Sequence, residues 1–328
     1  MNDPSQQHIG TPALIRRFAP YLMRYKRILI FDLFCAALTT LCDIVLPKIM
    51  SYLTNAATDP GIVLTVDAVL KLALLYLILR LIDGAAQYFI SGTGHIMGVY
   101  IETDMRRDAF AHLQRLSHTY YSNTKVGQIM GRITNDLFDV TEFAHHCPEE
   151  FFIAGIKIAA SFIILCWASV PLTLVVFACV PLMAVVSIKL NLKLRAAFRR
   201  QRFQIGELNA SIEDSLLGQR VVKAFAAEEE ENKKFEQGNT AFQTIKKKTY
   251  HAMAAFNTST RLFDGLMYLV VIVAGGLSLV YGTISAGDLV AYVLYVSTLI
   301  ATIRRIVEFA EQFQRGVTGI ERFFDIID

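Results

Sequence analysis

The sequence predicts an all-α membrane protein, and two observations support that prediction. Hydrophobic residues make up 54% of the 328 residues and charged residues 19%, with a mean hydropathy of +0.41, whereas soluble domains contain about 25% charged residues. Six apolar segments are each long enough to cross about 30 Å of hydrocarbon as a helix. They lie near residues 28–53, 62–90, 151–171, 172–190, 265–281 and 287–303.

Lysine and arginine are distributed unevenly between the gaps that separate these segments. The short gaps 54–61, 168–171 and 282–286 contain neither residue, whereas the N-terminal stretch and the long gaps, about 91–150 and 191–264, contain many. Because cytoplasmic loops hold the excess of positive charge, both termini and both long gaps are expected in the cytoplasm. The net charge is only +3, which gives no reason to expect a nucleic-acid partner.

The two long gaps are predicted to be helical hairpins, because apolar residues recur at helical spacing in 99–116, 126–140, 205–216 and 235–245. With about 25 residues per arm at a rise of 1.5 Å, each hairpin extends about 35 Å past the membrane. Each hairpin turns at a short tip that exposes aromatic side chains, which favours a partner surface. The first tip is Thr119, Tyr120, Tyr121, Ser122, Asn123 and Thr124, and the second is Gly218, Gln219, Arg220, Val221, Val222, Lys223 and Phe225.

The return arm of the first hairpin contains a G-x-x-x-G spacing at Gly127 and Gly131. In an apolar span this spacing is typical of a helix–helix contact inside the membrane. The neighbouring charges at Arg132 and Asp136 place this helix in the cytoplasm instead. The two glycines are therefore expected to allow close packing beside a neighbouring arm.

Four motifs, in this order, resemble the transmembrane domain of ABC exporters: YYSNTKVGQIMGRITNDLFDV, IEDSLLGQRVVKAFAAEEEENKKF, GTISAGDLVAYVLY and GIERFFDIID. The resemblance extends over about residues 16–328. The segment TNDLFDVTEFAHH is similar to bacterial multidrug-type exporters in which one polypeptide contains both membrane and ATPase domains.

The resemblance implies a six-helix fold in a domain-swapped homodimer or heterodimer, whose fourth and fifth spans cross to the second transmembrane domain. Both tips would be coupling helices that contact ABC ATPase domains. Residues 1–27 would form a cytoplasmic segment with an interfacial elbow helix near 12–26, residues 28–320 the membrane domain, and 321–328 the start of a linker to an ATPase domain. The implied location is the cell (inner) membrane.

The chain contains no G-x-x-x-x-G-K-[ST] phosphate loop, so it is not expected to hydrolyse ATP itself. ATP and Mg²⁺ are expected in an ATPase domain, either fused in a longer chain, which is favoured, or on a separate polypeptide. The complete transporter would be an ATP-hydrolysing translocase that moves amphiphilic or hydrophobic small molecules or lipids out of the cytoplasm or inner leaflet. No catalytic constellation is identified in the chain.

Ionisable residues within the predicted spans or close to their ends are expected to line a substrate cavity, because each costs roughly 2.5–3.5 kcal/mol at membrane depth. Some of these residues are spaced so that they could form ion pairs along one helix. The alternative to a substrate-binding role is that such pairs only neutralise one another along a water-filled vestibule. A surplus of arginine and lysine favours amphiphiles with an anionic head group. The set is Asp43, Arg80, Asp83, Lys157, Arg261, Asp264, Arg304, Arg305 and Glu308.

The segment HHCPEE, residues 145–150, contains three kinds of zinc ligand. Neighbouring residues on a helix diverge by about 100°, so only His145 with Glu149, or His146 with Glu150, would share a face. A satisfied polar patch at the mouth of the third span is therefore preferred, and no metal is expected. Pro148 is expected to kink or interrupt the helix.

Two other functions are open. An ion-coupled secondary transporter would use the charges in the spans as coupling sites, although such folds usually show internal repeats with broken helices. A non-transporting ABC-like regulator would keep the same scaffold. Transport driven by a proton gradient without an ATPase would favour the first, and ATPase turnover stimulated by a substrate would exclude the second.

Overall fold

A computed structural model describes residues 10–59, 61, 63–124 and 126–328. Predictions that concern residues 1–9, Ile62 and Lys125 lie outside these described residues. Within them the chain is helical and contains no strand, which confirms the all-α prediction. The α-helices are α1 (Thr11–Arg24), α2 (Lys26–Thr58), α3 (Val66–Phe89), α4 (His95–Leu113), α5 (His118–Asn123), α6 (Val126–Gly131), α7 (Leu137–Ala168), α8 (Val170–Leu217), α9 (Gln219–Ala224), α10 (Glu228–Val270), α11 (Gly276–Val280) and α12 (Ala286–Ile327).

By length and composition, five helical stretches among the described residues could cross a membrane, so the chain is a multi-pass membrane protein. The second predicted span forms α3, which is not one of the five and contains the charged residues Lys71, Arg80 and Asp83. Six crossings and a domain-swapped dimer therefore stay predictions. The five stretches are Lys26–Thr58, Val126–Ala168, Val170–Leu217, Glu228–Val280 and Ala286–Ile327.

The chain divides into two compact units. The first comprises Met1–Leu174 with Val271–Asp328, and therefore contains α1 to α7, α11 and α12. The second is Val175–Val270, which contains most of α8 together with α9 and α10. Each unit is described by itself below.

The core of the first unit lies where α1, α4, α7 and α12 meet. Met97, Ile101, Met105 and Ala109 of α4 recur every fourth residue and are fully buried, because residues four apart lie on one face of a helix. Ile101, Met105 and Ala109 are among the apolar positions from which a helix was predicted over 99–116, and α4 ends before the last of those positions, Leu116. Residues of α7 and α12 pack against it, among them Leu137, Val140, Phe143, Ala144, Ile320, Phe323 and Phe324.

Two glycines bring α12 into close contact with the α7 side of this core. A Cβ atom at Gly316 would lie 2.1 Å from Cβ of Phe143, and one at Gly319 would lie 2.7 Å from the carbonyl oxygen of Asp136. At Gly127 and Gly131, by contrast, no described atom lies within 4 Å of such a Cβ. The prediction that the G-x-x-x-G glycines allow close packing is therefore wrong within the described chain.

Helix α1 confirms the predicted N-terminal helix but not the environment expected for its apolar face. Leu14 and Phe18 are each only 2% exposed and belong to the protein core, so they are not available to a membrane interface. On its polar side, Arg24 donates a hydrogen bond of 2.8 Å to Asp104 of α4. That hydrogen bond holds the pKa of the Asp104 carboxyl below its usual range.

The N-terminus of α12 is packed directly against the C-terminal part of α2. Ser285 and Asp288 form a capping box, in which each side chain accepts a hydrogen bond from the other residue's backbone N–H. The backbone N–H of Gly287 donates to Oδ1 of Asn55 at 2.8 Å. A Cβ atom at Gly287 would lie 2.1 Å from the carbonyl oxygen of Ser51, so only glycine permits this contact.

The second unit is a long hairpin of α8 and α10 with α9 at its tip. The Thr249 hydroxyl of α10 donates to the carbonyl oxygen of Ala197 in α8 at 3.3 Å. Many apolar side chains of the unit are exposed, among them Leu182, Val185 and Leu262. A soluble monomer rarely exposes so much apolar surface, which is consistent with lipid or protein around these helices.

We expect Gly316→Ala to destabilise the first unit by about 1–3 kcal/mol, because the added methyl group collides with Cβ of Phe143 and forces α12 away from α7. Thermal unfolding of the purified chain in detergent measures the effect. The matched control is Gly206→Ala in α8, where no described atom is within 4 Å of the added carbon. Alanine favours a helix over glycine by about 1 kcal/mol, so a control that unfolds as early as Gly316→Ala would contradict the explanation.

Candidate functional site

A cavity of about 670 Å³ lies between α2, α3, α7 and α12 of the first unit. Five of the nine residues predicted for a substrate cavity line it, namely Asp43, Arg80, Asp83, Lys157 and Arg305. Short polar and apolar side chains complete the lining, including Thr39, Thr40, Leu46, Pro47, Leu294, Ser297, Thr298 and Thr302. Whether a substrate occupies this cavity stays a prediction.

Asp43 of α2 is the acceptor shared by two basic side chains from different helices. Nη1 of Arg80 lies 2.9 Å from Oδ2 of Asp83 in the same helix and 3.5 Å from Oδ1 of Asp43. Nζ of Lys157, on α7, donates to the other oxygen of Asp43 at 3.2 Å. These pairs connect α2, α3 and α7 across the cavity, which offsets the cost of burying each charge.

Glu150 is a cavity residue that the sequence analysis did not assign to the cavity. Its Oε1 accepts hydrogen bonds from Nε and Nη2 of Arg305 at 2.9 and 2.7 Å. In the sequence, Glu150 belongs to the segment HHCPEE, which contains possible metal ligands. Its spacing of seven residues from Lys157 was a usable signal, because residues seven apart lie on the same face of a helix.

The charges that line the cavity are balanced. Three basic residues, Arg80, Lys157 and Arg305, stand against three acidic residues, Asp43, Asp83 and Glu150. The predicted surplus of arginine and lysine is therefore absent from the lining. Of the remaining predicted residues, Arg304 and Glu308 are on α12 outside the lining, and Arg261 and Asp264 are on α10 of the second unit.

Two tyrosines of α12 fix its position beside the cavity from within the core. Both Tyr292 and Tyr295 are fully buried. The Tyr292 hydroxyl donates to the carbonyl oxygens of Leu165 and Ser169, and the Tyr295 hydroxyl donates to the carbonyl oxygen of Ile44 at 2.8 Å. A buried hydroxyl needs such a partner, so these side chains are packing residues and not part of the cavity wall.

The first predicted coupling tip is a short separate helix, α5. The Tyr121 hydroxyl donates to the carbonyl oxygen of Leu113 at 2.6 Å, and its ring meets that of Tyr120 edge to face. Tyr120 also packs on a small cluster that contains Leu113, Ile129 and Ile326. The aromatic side chains of this tip are therefore partly held against their own chain.

The second predicted coupling tip, α9, exposes its apolar side chains more fully. Val221 is 61% exposed and Phe225 is 79% exposed. Ala226 follows with a φ of +49°, the left-handed conformation that commonly ends a helix. The N–H of Ala227 then donates to the carbonyl oxygen of Val222 at 2.9 Å, which closes the turn and presents Phe225 at the end of the hairpin.

Comparison with known proteins identifies a family of membrane transport proteins. Residues 29–303 match the family model described as ABC transporter transmembrane region. The chain is 30% identical to the "uncharacterized ABC transporter ATP-binding protein YwjA" of Bacillus subtilis (strain 168), over 96% of this chain and 54% of that protein. It is 25% identical to the "ATP-dependent lipid A-core flippase" of Chromobacterium violaceum, over 96% of this chain and 54% of the flippase. The chain thus spans about half the length of these relatives.

The exposure of the second tip leads to a labelling prediction. We expect a cysteine at Val221 to react rapidly with a hydrophilic maleimide in the purified chain, because the native side chain is 61% exposed. A cysteine at Val140, which is fully buried in α7, is expected to stay unlabelled until the protein unfolds. Mass spectrometry of peptides measures each site separately from the five natural cysteines. Equal labelling at both positions would contradict the structure.

Proposed function

Because the chain belongs to the ABC transporter transmembrane region family, we propose that it is the permease domain of an ATP-driven exporter. It moves amphiphilic or hydrophobic small molecules or lipids out of the cytoplasm or the inner leaflet. The observation that supports this most directly is the cavity of about 670 Å³, where paired charges from four helices meet within or next to predicted membrane spans. The flippase name of some relatives fits a lipid-like substrate.

In this proposal two such domains act together in the cell (inner) membrane, with both termini in the cytoplasm. The separate compactness of Val175–Val270 supports an arrangement in which these helices cross to a second transmembrane domain. The domain alternates between an inward-facing and an outward-facing cavity, and the two hairpins transmit the motion of ATPase domains to the helices that line it.

The nucleotide chemistry belongs to an ABC ATPase domain in this proposal. The sequence contains no G-x-x-x-x-G-K-[ST] phosphate loop, which supports assigning ATP and Mg²⁺ to that domain. This chain contributes two conformations to which the ATPase domains bind with different affinity. Such a difference is required, because ATP binding at a distant domain shifts the equilibrium between two conformations only if the two are bound unequally.

The equal number of acidic and basic residues in the cavity lining indicates which head groups the cavity suits. Each basic side chain already has a carboxylate partner within 3.5 Å, so the cavity presents paired charges and no net excess of either sign. Such a lining supports substrates whose head groups are neutral or zwitterionic over those that are strongly anionic. The flexible apolar part of the substrate would lie against the aliphatic residues Leu46, Ile153 and Leu294.

We expect the double substitution Val221→Asp with Phe225→Ser to uncouple ATP hydrolysis from transport. Both side chains are exposed in the chain, so the free energy of unfolding should change by no more than about 0.5 kcal/mol. Transport into inverted vesicles by the protein assembled with its ATPase domain measures coupling. Glu229→Gln, an exposed change on α10 near the tip, is the control. Normal coupling in the double variant would reject the role of the tip, and transport driven by a proton gradient without ATPase would reject the exporter.

Removing one charge from the cavity should change its preference between charged ligands. Asp43→Asn leaves one net positive charge and Lys157→Gln one net negative charge. We expect the affinity for an anionic amphiphile to rise about two- to fivefold in Asp43→Asn and to fall by a similar factor in Lys157→Gln, corresponding to about 0.5–1 kcal/mol.

A matched cationic amphiphile should show the opposite order, with fluorescence titration as the measurement. Thr298→Val, an uncharged change in the same lining, should affect both probes alike. If both charge variants changed the two probes in the same direction, ligand binding in this cavity would be refuted.

A further inference from the structure

Five ionisable side chains meet outside the cavity lining, where α2, the start of α4 and α7 pack together in the first unit. They form two overlapping groups that share His145, one of His95, His145 and His146 and one of Asp32, His145 and Glu149, and within each group the possible ligand atoms lie within 4.8 Å of one another. The ring centres of the three histidines lie 4.6 to 4.8 Å from one another. The expectation that His145 and His146 diverge on their helix is therefore wrong, because both rings turn towards His95.

Part of this cluster is buried without any partner that would satisfy it. Asp32 is fully buried and His145 is 2% exposed. Neither carboxylate oxygen of Asp32 and neither ring nitrogen of His145 has a hydrogen-bond partner among the described residues. Leaving polar and ionisable groups buried in this way is costly, so the cluster is incomplete as a set of protein groups alone.

The separations between the side chains suit a shared cation better than hydrogen bonds. Oε2 of Glu149 lies 3.7 Å from Nε2 of His145 and 3.9 Å from Nδ1 of His146. These distances exceed those of hydrogen bonds. Two ligands on one tetrahedral zinc ion, each bound at about 2.0–2.1 Å, lie roughly 3.4 Å apart. The separation of Oε2 of Glu149 from each of these two nitrogens therefore exceeds that spacing by only about 0.3–0.5 Å.

The nitrogen on the far side of each of these two rings faces another carboxylate. Nδ1 of His145 lies 3.7 Å from Oδ2 of Asp32, and Nε2 of His146 lies 3.4 Å from Oε2 of Glu142. A carboxylate behind a histidine ligand orients the ring and is typical of protein zinc sites. Glu142 and Asp32 are therefore close enough to take this role behind two adjacent histidines.

A glycine in the neighbouring backbone leaves space for the side chains of the cluster. A Cβ atom at Gly94 would lie 2.3 Å from Cε1 of His145 and 2.6 Å from Oδ1 of Asp32. Gly94 ends a π-helical turn, Ile90–Gly94, which directly precedes His95. Such turns interrupt α-helices frequently at functional sites. His95 is exposed, so an ion could enter from its side.

We propose that this cluster binds one divalent transition-metal ion, Zn²⁺ by its chemistry. His95, His145, His146 and Glu149 are the ligands, and Asp32 and Glu142 are the carboxylates that orient two of the imidazoles. Three imidazoles and one carboxylate suit zinc and its first-row neighbours, whereas Ca²⁺ and Mg²⁺ prefer oxygen ligands. The bound ion joins α7 to the start of α4, and through Asp32 to α2.

The test is zinc binding by the purified 328-residue chain, prepared without a histidine tag and treated with EDTA. Calorimetric titration with ZnCl₂ should show one equivalent per chain, and CoCl₂ should give the visible absorption bands of tetrahedral Co²⁺. His145→Ala and Glu149→Gln should abolish stoichiometric binding. Asp32→Asn, which removes an orienting carboxylate only, should weaken it about 10–100-fold.

Glu150→Gln is the matched control, because the neighbouring Glu150 binds Arg305 and not the histidines. His251→Ala, at an exposed position in the second unit, is the control for loss of a histidine. If the buried substitutions prevent folding, His95→Ala at the exposed ligand replaces them. A native chain that binds no Zn²⁺ and shows no Co²⁺ bands overturns the proposal, as does equal binding by the ligand variants and the controls.

Discussion

The contact between α12 and α7 is the interaction on which the first unit depends. Gly316 and Gly319 have no side chains, so the backbone of α12 comes close enough to α7 for Phe143 and Val140 to fill the space against it. Aromatic residues that follow on α12, Phe323 and Phe324, then reach the core shared with α1 and α4. Without that approach the cavity would lack one wall, because α12 supplies Arg305 and several of its small polar residues.

Two neighbouring regions of α7 differ in whether their ionisable side chains have partners of opposite charge. At Lys157 and Glu150 each charge meets an opposite charge from another helix, and the cavity is neutral as a whole. Near His145, acidic and imidazole groups gather without such partners. Charged groups near membrane depth and buried polar groups both cost free energy unless they are paired. In the region of Lys157 and Glu150, other side chains of the protein supply the partners. The region of His145 is complete only with a bound cation.

Features that depend on local periodicity could be predicted from the sequence, and features that depend on distant partners could not. The helical stripe of Ile101, Met105 and Ala109 follows from the spacing of apolar residues, whereas helices at the two tips were implied by the resemblance to ABC exporters. Arg305 with Glu150, 155 positions apart in sequence, could not be foreseen because no local pattern relates them. The glycine spacing at Gly127 was misleading for the same reason, since only tertiary neighbours decide which glycine allows close packing.

The contact of Gly287 with the carbonyl of Ser51 also determines where the first unit has freedom to move. It holds the ends of α2 and α12 together at backbone distance, so relative rotation of these helices would pivot there. Ala286–Ile327 spans roughly 60 Å at 1.5 Å per residue. A tilt of about 4° around that pivot would displace the far end of α12 by about 4 Å, while residues next to the pivot would hardly shift. Small angular changes are thus amplified towards Ile326, which packs beside Tyr120 of the first tip.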